Sequence, residues 1–453
     1  MPTRAERFFG MRNAPGGGAG PTEQAKITMA ETTASPIPEH DSAPSVLDGG
    51  TLKSALRRSQ AKARRRAFYL VLPILIFLVA SFAVPILQLV VRSVYNPEVA
   101  EYLPNVSQVI GNWDGAEVPS EDVFAALAED IRIGAENNTI GRVAARINRE
   151  IPGARSTFMG MSREIDEIEP PYREAFLADD EDWGDLQLWR LIQRETRTIT
   201  PVYYMLAMDL EYDSEGNIVE RPEDYRIFRM LFVRTAWMSL TITGLCLLLG
   251  FPVAYLLATQ PARIANLLMI LVLLPFWTSL LVRTSAWMVL LQQQGVINDT
   301  LVWLGIVSDD GRLRLIYNQI GTIIAMTHIL LPFMILPVYS VMKTISPSYM
   351  RAARSLGANS LTAFTRTYLP LTIPGIAAGV LLVFILAIGY YITPALVGGE
   401  SGIFVSNLIA SNMQGSLSSL KLAAALSAIL LVFVMAFYWL FNKLIGVDRL
   451  KFG

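Results

Sequence analysis

Apolar residues in this chain gather into long runs, and the length of those runs sets the first expectation. A helix rises about 1.5 Å per residue, so crossing a hydrocarbon core of about 30 Å takes roughly 20 apolar residues. Six runs of that order occur, at roughly 67–91, 231–257, 264–291, 320–342, 373–396 and 422–445. Lys53, Arg57, Arg58, Lys62, Arg64, Arg65 and Arg66 precede the first run and hold the N-terminus in the cytoplasm by the positive-inside rule. That run is too long and starts too late for the apolar region of a cleaved signal peptide, so it reads as a retained helix. Alternate threading then puts Arg263, the segment with Lys343, Arg351, Arg354 and Arg366, and the tail with Lys443, Arg449 and Lys451 inside, leaving both termini cytoplasmic.

The polar stretches between the runs differ in kind. Residues 1–52 are rich in Gly, Ala, Pro, Ser and Thr and read as a disordered cytoplasmic tail, whose GGGAG lacks the Lys-Ser/Thr of a phosphate loop. Residues 53–95 make the basic flank and the first span. The segment 96–229 is expected outside. Between 96 and 226 it holds 28 acidic against 12 basic residues, an excess of 28 − 12 = 16 negative charges, and every basic residue is Arg. Helical periodicity shows in Glu121 to Ile133, Asn138 to Ile151 and Trp183 to Glu195, while Tyr212 to Val219 reads as a turn between short strands with Gly216-Asn217 at its tip. Residues 230–453 carry the last five spans. The expected fold is an all-α integral membrane protein with six transmembrane helices and an outward-facing, acidic, mostly helical insertion between helices 1 and 2.

Composition agrees: 52% of the 453 residues are hydrophobic and 17% charged, with a mean hydropathy of +0.39. A net charge of −1 excludes a general nucleic-acid role driven by positive charge. One cysteine (Cys246) and two histidines (His40, His328) assemble no Cys/His metal site, and no motif supports catalysis. No Asp or Glu lies in any run, which counts against an ion-coupled secondary transporter, the alternative reading. An enzyme or sensor anchored by its spans ranks last, because the acidic segment lacks Cys and His. Arg283 is the one charge well inside a run, about two turns from the outer end; it either snorkels or hydrogen-bonds to a neighbouring helix, or meets substrate. Pro252, Pro275, Pro332, Pro337 and Pro394 interrupt the runs and suggest bent helices around a pathway, or ordinary kinks. His328 reads as a packed residue.

One loop carries more information, the segment 343–370. Ser346 suits an N-cap with Pro347 at the first helical position, and Gly357 suits a left-handed stop. The short helix between presents Tyr349, Met350, Ala352, Ala353 and Leu356, flanked by Arg351 and Arg354. A second helix is expected from Ser360 to Tyr368, ending at Leu369-Pro370. This elbow either fits a groove on a partner protein or rests on lipid head groups.

Arg351-Ala352-Ala353, three residues, Gly357, nine residues, Thr367 and then Leu369-Pro370 resembles the EAA motif of binding-protein-dependent ABC importer permeases of type I, with Arg351 in place of Glu and Thr367 in place of Ile. The stretches 273–291, 331–342 and 381–399 are similar to the first permease of spermidine/putrescine-type importers. The resemblance spans about 231–445 and leaves the insertion unexplained. It implies a multi-pass protein of the bacterial inner membrane whose Met350, Arg351, Ala352, Ala353, Arg354, Leu356, Gly357 and Ala358 couple it to an ATPase dimer. A second, related permease beside it and a periplasmic substrate-binding protein are implied too, with no cofactor held by this chain, which has no phosphate-binding loop of its own. For a polyamine cargo, aromatic faces attract cations without fixed charge, so Trp277, Trp287, Tyr390 and Tyr391, with Arg283, are pathway candidates; packing or an interfacial belt is the plainer reading of the aromatic residues.

Overall fold

The computed structural model describes residues 49–213, 215–415 and 417–445. Most of the tail expected over 1–52, with His40, Arg449 and Lys451, lies outside the described residues. The described residues divide into two units between Leu75 and Ile76. Helix α1 (Gly49–Leu78) begins inside the last residues of the expected tail, and its apolar side chains Phe68, Tyr69 and Leu70 are exposed.

A π turn at Val79–Ala83 leads into α2 (Val84–Val94). The insertion follows as α3 (Glu98–Tyr102), α4 (Pro104–Val109), α5 (Glu121–Glu136), α6 (Ile140–Ile147), α7 (Ala154–Glu164), α8 (Tyr172–Asp179), α9 (Leu186–Glu195) and α10 (Val202–Ala207). It closes on an antiparallel hairpin, β1 (Leu210–Tyr212) with β2 (Ile218–Glu220), in the register Leu210 to Glu220. Gly216 takes a φ of 86° at the hairpin tip, where an L side chain would be strained. Then come α11 (Phe228–Thr259), α12 (Ala262–Leu273), α13 (Leu280–Leu291), α14 (Val296–Trp303), α15 (Gln319–Thr344), α16 (Pro347–Ser355), α17 (Ser360–Ala363), α18 (Leu369–Gly389), α19 (Ile392–Val397), α20 (Gly399–Gly402), α21 (Val405–Met413) and α22 (Leu417–Ile445).

Among the described residues, five helical stretches are long and apolar enough to cross a membrane: Gln60–Val94, Phe228–Thr259, Gln319–Thr344, Ser360–Gly389 and Ser419–Leu444. A sixth is counted if the bent pair Ala262–Trp277 and Leu280–Trp303 is one span. The bend that Pro275 suggests in the run 264–291 is sharp enough to make two helices, since the two halves meet at 97°. The reason is local. Leu274–Trp277 tightens into a 3₁₀ turn around Pro275, Thr278 is extended, and Ser279 accepts the Val282 amide at 3.2 Å to start a new helix. The run over 373–396 is also broken, at Tyr390-Tyr391 and so ahead of Pro394. Conversely, the stop expected at Leu369-Pro370 is absent: a π turn over Phe364–Tyr368 runs into α18, and Pro370 sits in its first turn, where a missing N–H costs little.

Helices α11, α15 and α18 form the centre of the bundle around Met238, Ile242, Cys246, Met334, Val338 and Val383. Without a hydrophobic drive between helices in lipid, close packing decides such contacts, and small residues permit it. Gly375 and Gly379 of α18 lie against Pro337, Val338 and Met334 of α15 at distances that leave no room for a methyl group.

The insertion has a core of its own. Phe124, Phe158, Phe176, Trp183 and Trp189 pack edge to face with centroids 4.7–5.6 Å apart, and Trp189 donates its indole N–H to the Trp183 carbonyl at 2.8 Å. Each such buried ring contributes on the order of 2–3 kcal/mol. Of the three helical stretches read from periodicity, two match α5 and α6; the third starts late, because Asp185 caps α9 and Trp183 sits in a 3₁₀ turn. Asp130 of α5 accepts the backbone amides of Asn105 and Val106 and the Asn105 side chain at 2.8–3.1 Å, capping α4 from outside. Asp130→Ala is expected to destabilise the insertion by about 3 kcal/mol, the scale of hydrogen bonds to a buried charge. Faster amide exchange over 104–131 than in wild type is the check, and wild-type exchange there contradicts it.

A candidate coupling elbow and an intramembrane polar cluster

The elbow is built by two helix caps. Ser346 Oγ accepts the Ser348 amide at 3.3 Å, with Pro347 opening α16. At the other end Gly357 has a φ of 89°, its amide reaches the Arg354 carbonyl at 3.0 Å, and the Ala358 amide reaches the Ala353 carbonyl at 3.1 Å. Those two bonds are the paired closures of a Schellman stop. Asn359 Oδ1 accepts the Thr362 amide at 2.7 Å, so the chain turns directly into α17. The result is a rigid corner whose angle is set by Gly357.

Its faces are unequal. Arg351, Ala352, Arg354 and Gly357 are exposed, and Leu356 is 89% exposed at the tip, while Ala353 and Ala358 are half-buried. Met350, expected on the presented face, turns inward against the bundle core. Behind the elbow Tyr255 of α11 meets Phe364 and Tyr368 edge to face at 5.8 and 5.5 Å, and Phe364 stacks on Tyr368 at 5.7 Å. This aromatic cluster ties the corner to the end of α11 and the start of α18. A cleft of about 390 Å³ opens beside it between Tyr255, Thr259, Met350 and Arg354. From Lys343 to Pro370 the sequence has no acidic residue and carries Lys343, Arg351, Arg354 and Arg366.

The intramembrane candidates divide. Arg283 is half-buried in the first turn of α13, directly after the break, where a cation opposes the helix dipole. Its Nε is buried without a hydrogen-bond partner among the described residues, and its charge bears on both His328 of α15 and Tyr390 at the α18–α19 break. Trp287, one turn further along α13, donates its indole N–H to His328 Nδ1 at 3.0 Å. Thr284 and Thr393 bond at 3.0 Å and tie α13 to α19. Trp287 gives His328 a partner from α13, a contact the sequence does not show because it offers His328 no acidic residue in the membrane. Trp277 is 74% exposed and Tyr391 47%, and neither joins the cluster. The Tyr390 and Tyr391 carbonyls, freed by the helix break, accept from Ser406 Oγ and Asn407 Nδ2 at 2.5 and 2.7 Å.

Residues 248–445 match the family described as binding-protein-dependent transport system inner membrane component. Among curated proteins, the chain is 38% identical over 236 residues to the spermidine/putrescine transport system permease protein PotB of Haemophilus influenzae, covering 49% of this chain and 80% of that protein. It is 36% identical over 216 residues to PotB of Escherichia coli K12, covering 46% and 76%. It is 34% identical to the inner membrane ABC transporter permease protein YdcU of Escherichia coli K12, covering 48% and 71%. Among solved structures, a bacterial ABC transporter involved in import of the acidic polysaccharide alginate is 20% identical with a TM-score of 0.40, over 51% of this chain and 82% of that one.

Proposed function

Because the chain belongs to the family of binding-protein-dependent transport system inner membrane components, as a permease subunit of an ABC importer, we propose that its cargo is a polyamine such as spermidine or putrescine, or a related small organic cation. The observation that carries this is the identity of 36–38% to two spermidine/putrescine permeases over three quarters or more of their length. The chain crosses the inner membrane six times, with the bent pair α12–α14 as one span and both termini cytoplasmic. The insertion then lies in the periplasm.

Three partners complete the machine: a second, related permease, an ATPase dimer beneath, and a soluble substrate-binding protein outside. The elbow from Met350 to Ala358 docks on the ATPase. Since Arg351 and Arg354 are exposed and the loop has no acid, the groove receiving it carries carboxylates. ATPase closure presses α16, the aromatic cluster passes the movement to α11 and α18, and the bundle switches as a rigid body between two states. Along the pathway, Trp287 and Tyr390 offer π faces to a passing cation. Arg283 repels one, which keeps the midplane from trapping the cargo.

In proteoliposomes holding the whole complex, ATP is expected to drive uptake of labelled spermidine or putrescine only with the binding protein present. Trp287→Ala is expected to lower the maximal rate about tenfold, the size of one lost cation–π contact in a desolvated site. ATP-driven uptake of some other solute with none of polyamine would sink the cargo assignment and leave the importer standing.

A further inference from the structure

The insertion is attached to the bundle through specific contacts. Its first residues pair with its later ones in a short antiparallel ladder, the Asn96 amide reaching the Thr198 carbonyl and the Thr200 amide reaching the Val94 carbonyl, both at 2.8 Å. At its exit Asp209 accepts the amides of Phe228 and Arg229 at 3.0 and 2.7 Å, capping α11. Helix α10 lies on α22, with Leu206 beside Phe228, Leu422 and Leu426.

At the centre of this junction is Lys421, in the second turn of α22 and only 5% exposed. Its ammonium donates to Asn96 Oδ1 and lies 3.9 Å from Glu98 and 5.9 Å from the Tyr203 ring. Asn96 passes the connection on, donating its amide to Glu195 at 3.0 Å; Glu195 is 1% exposed and accepts Arg146 at 2.7 Å. Arg146 and Arg194 both pair with Glu150. Three cations, Lys421, Arg146 and Arg194, thus face three carboxylates, Glu98, Glu150 and Glu195, and every member except Lys421 belongs to the insertion. Burial opposes the charge of Glu150, but Arg194 and Arg146 outweigh it and hold that carboxyl below its ordinary range; burial pushes Tyr203 up to about 12, so it stays a neutral phenol under the ammonium. Taking Lys421 away leaves the buried Asn96 carbonyl oxygen without its donor and the part-exposed Glu98 without its cation, which is the expensive way to break such a network.

We propose that Lys421 is a positioning residue that keys the insertion to the last span, so that insertion, α2 and α22 turn as one body during transport. The insertion is then a stiff lever on the permease, not a tethered module. This rests on the importer reading for its transport consequence, while the keying itself does not.

The test compares wild type with Lys421→Met and Lys421→Arg in the full complex reconstituted in lipid. Lys421→Met is expected to raise amide exchange about tenfold at 94–98 and 195–204 while the aromatic core over 121–192 stays protected. It is expected to cut the maximal rate of ATP-driven uptake about fivefold at an unchanged half-saturating concentration of loaded binding protein, and Lys421→Arg restores both readouts. Unchanged exchange overturns the keying; raised exchange with wild-type maximal uptake overturns the lever. If wild type itself takes up nothing with ATP, the importer reading fails, and the exchange comparison still decides the keying.

Discussion

Gly357→Val is expected to leave the chain inserted and folded in the membrane while lowering ATP-driven uptake by at least about tenfold. Space is not the obstacle, since a Cβ at this position meets nothing within 4 Å. Conformation is: at a φ of 89° an L residue with a branched side chain is strained by roughly 1–2 kcal/mol, and the Schellman bonds of Gly357 and Ala358 compete with relief of that strain. The corner opens, Leu356 and the two flanking arginines leave their places, and the ATPase loses its grip. Gly357→Asn is the informative companion, because asparagine tolerates the left-handed region and should keep most of the activity. Uptake by the valine variant equal to wild type would show that the angle of the elbow does not matter.

The second large effect lies in the bundle. A Cβ on Gly375 would stand 2.9 Å from the Val341 Cβ, 3.0 Å from the Pro337 carbonyl oxygen and 3.1 Å from the Val338 Cα. Two of those neighbours are backbone, so nothing can swing aside and α15 must move away from α18. Gly375→Val is therefore expected to destabilise the core by about 3 kcal/mol or more, the upper range of overpacking, and to remove most folded protein from detergent extracts. Gly379→Ala is milder, since its nearest contact at 2.7 Å is the flexible Met334 sulfur. Gly389→Ala, with nothing within 4 Å, serves as the control. Thermal unfolding followed by fluorescence size-exclusion chromatography ranks the three; a Gly375→Val protein that melts with wild type would contradict the packing described.

What the sequence made legible was local. The elbow's start at Ser346 and stop at Gly357 follow from one hydroxyl and one missing Cβ, and the hairpin tip at Gly216 from another. Five of the six runs coincide with span-length helical stretches because run length alone determines that outcome. In the sixth, Pro275 marks the bend, and its sharpness comes from Thr278 and Ser279 after it, an extended residue and a hydroxyl that caps a new helix. Tertiary facts were not legible. His328 reads as a packed residue because no acidic partner lies in the apolar runs, and its indole partner Trp287 arrives from another helix. Lys421 sits one residue outside an apolar run and looks like an interfacial anchor, yet it is buried by a domain more than 200 residues upstream in the sequence. Met350 is half-buried against the core, which periodicity does not show because a helix of nine residues has too few positions to separate its sides.

If this chain works only as the membrane part of an ATP-driven assembly gripped at the elbow, the proteins that accompany it in its native membrane decide the matter. The most direct measurement is to purify the complex from its native membrane through a tag on this chain, and identify what accompanies wild type and Gly357→Val. An ATPase and a second permease are expected with wild type, a soluble binding protein when cargo is present, and loss of the ATPase alone from the variant. A chain that purifies without an ATPase and moves solute in vesicles lacking ATP would contradict that reading.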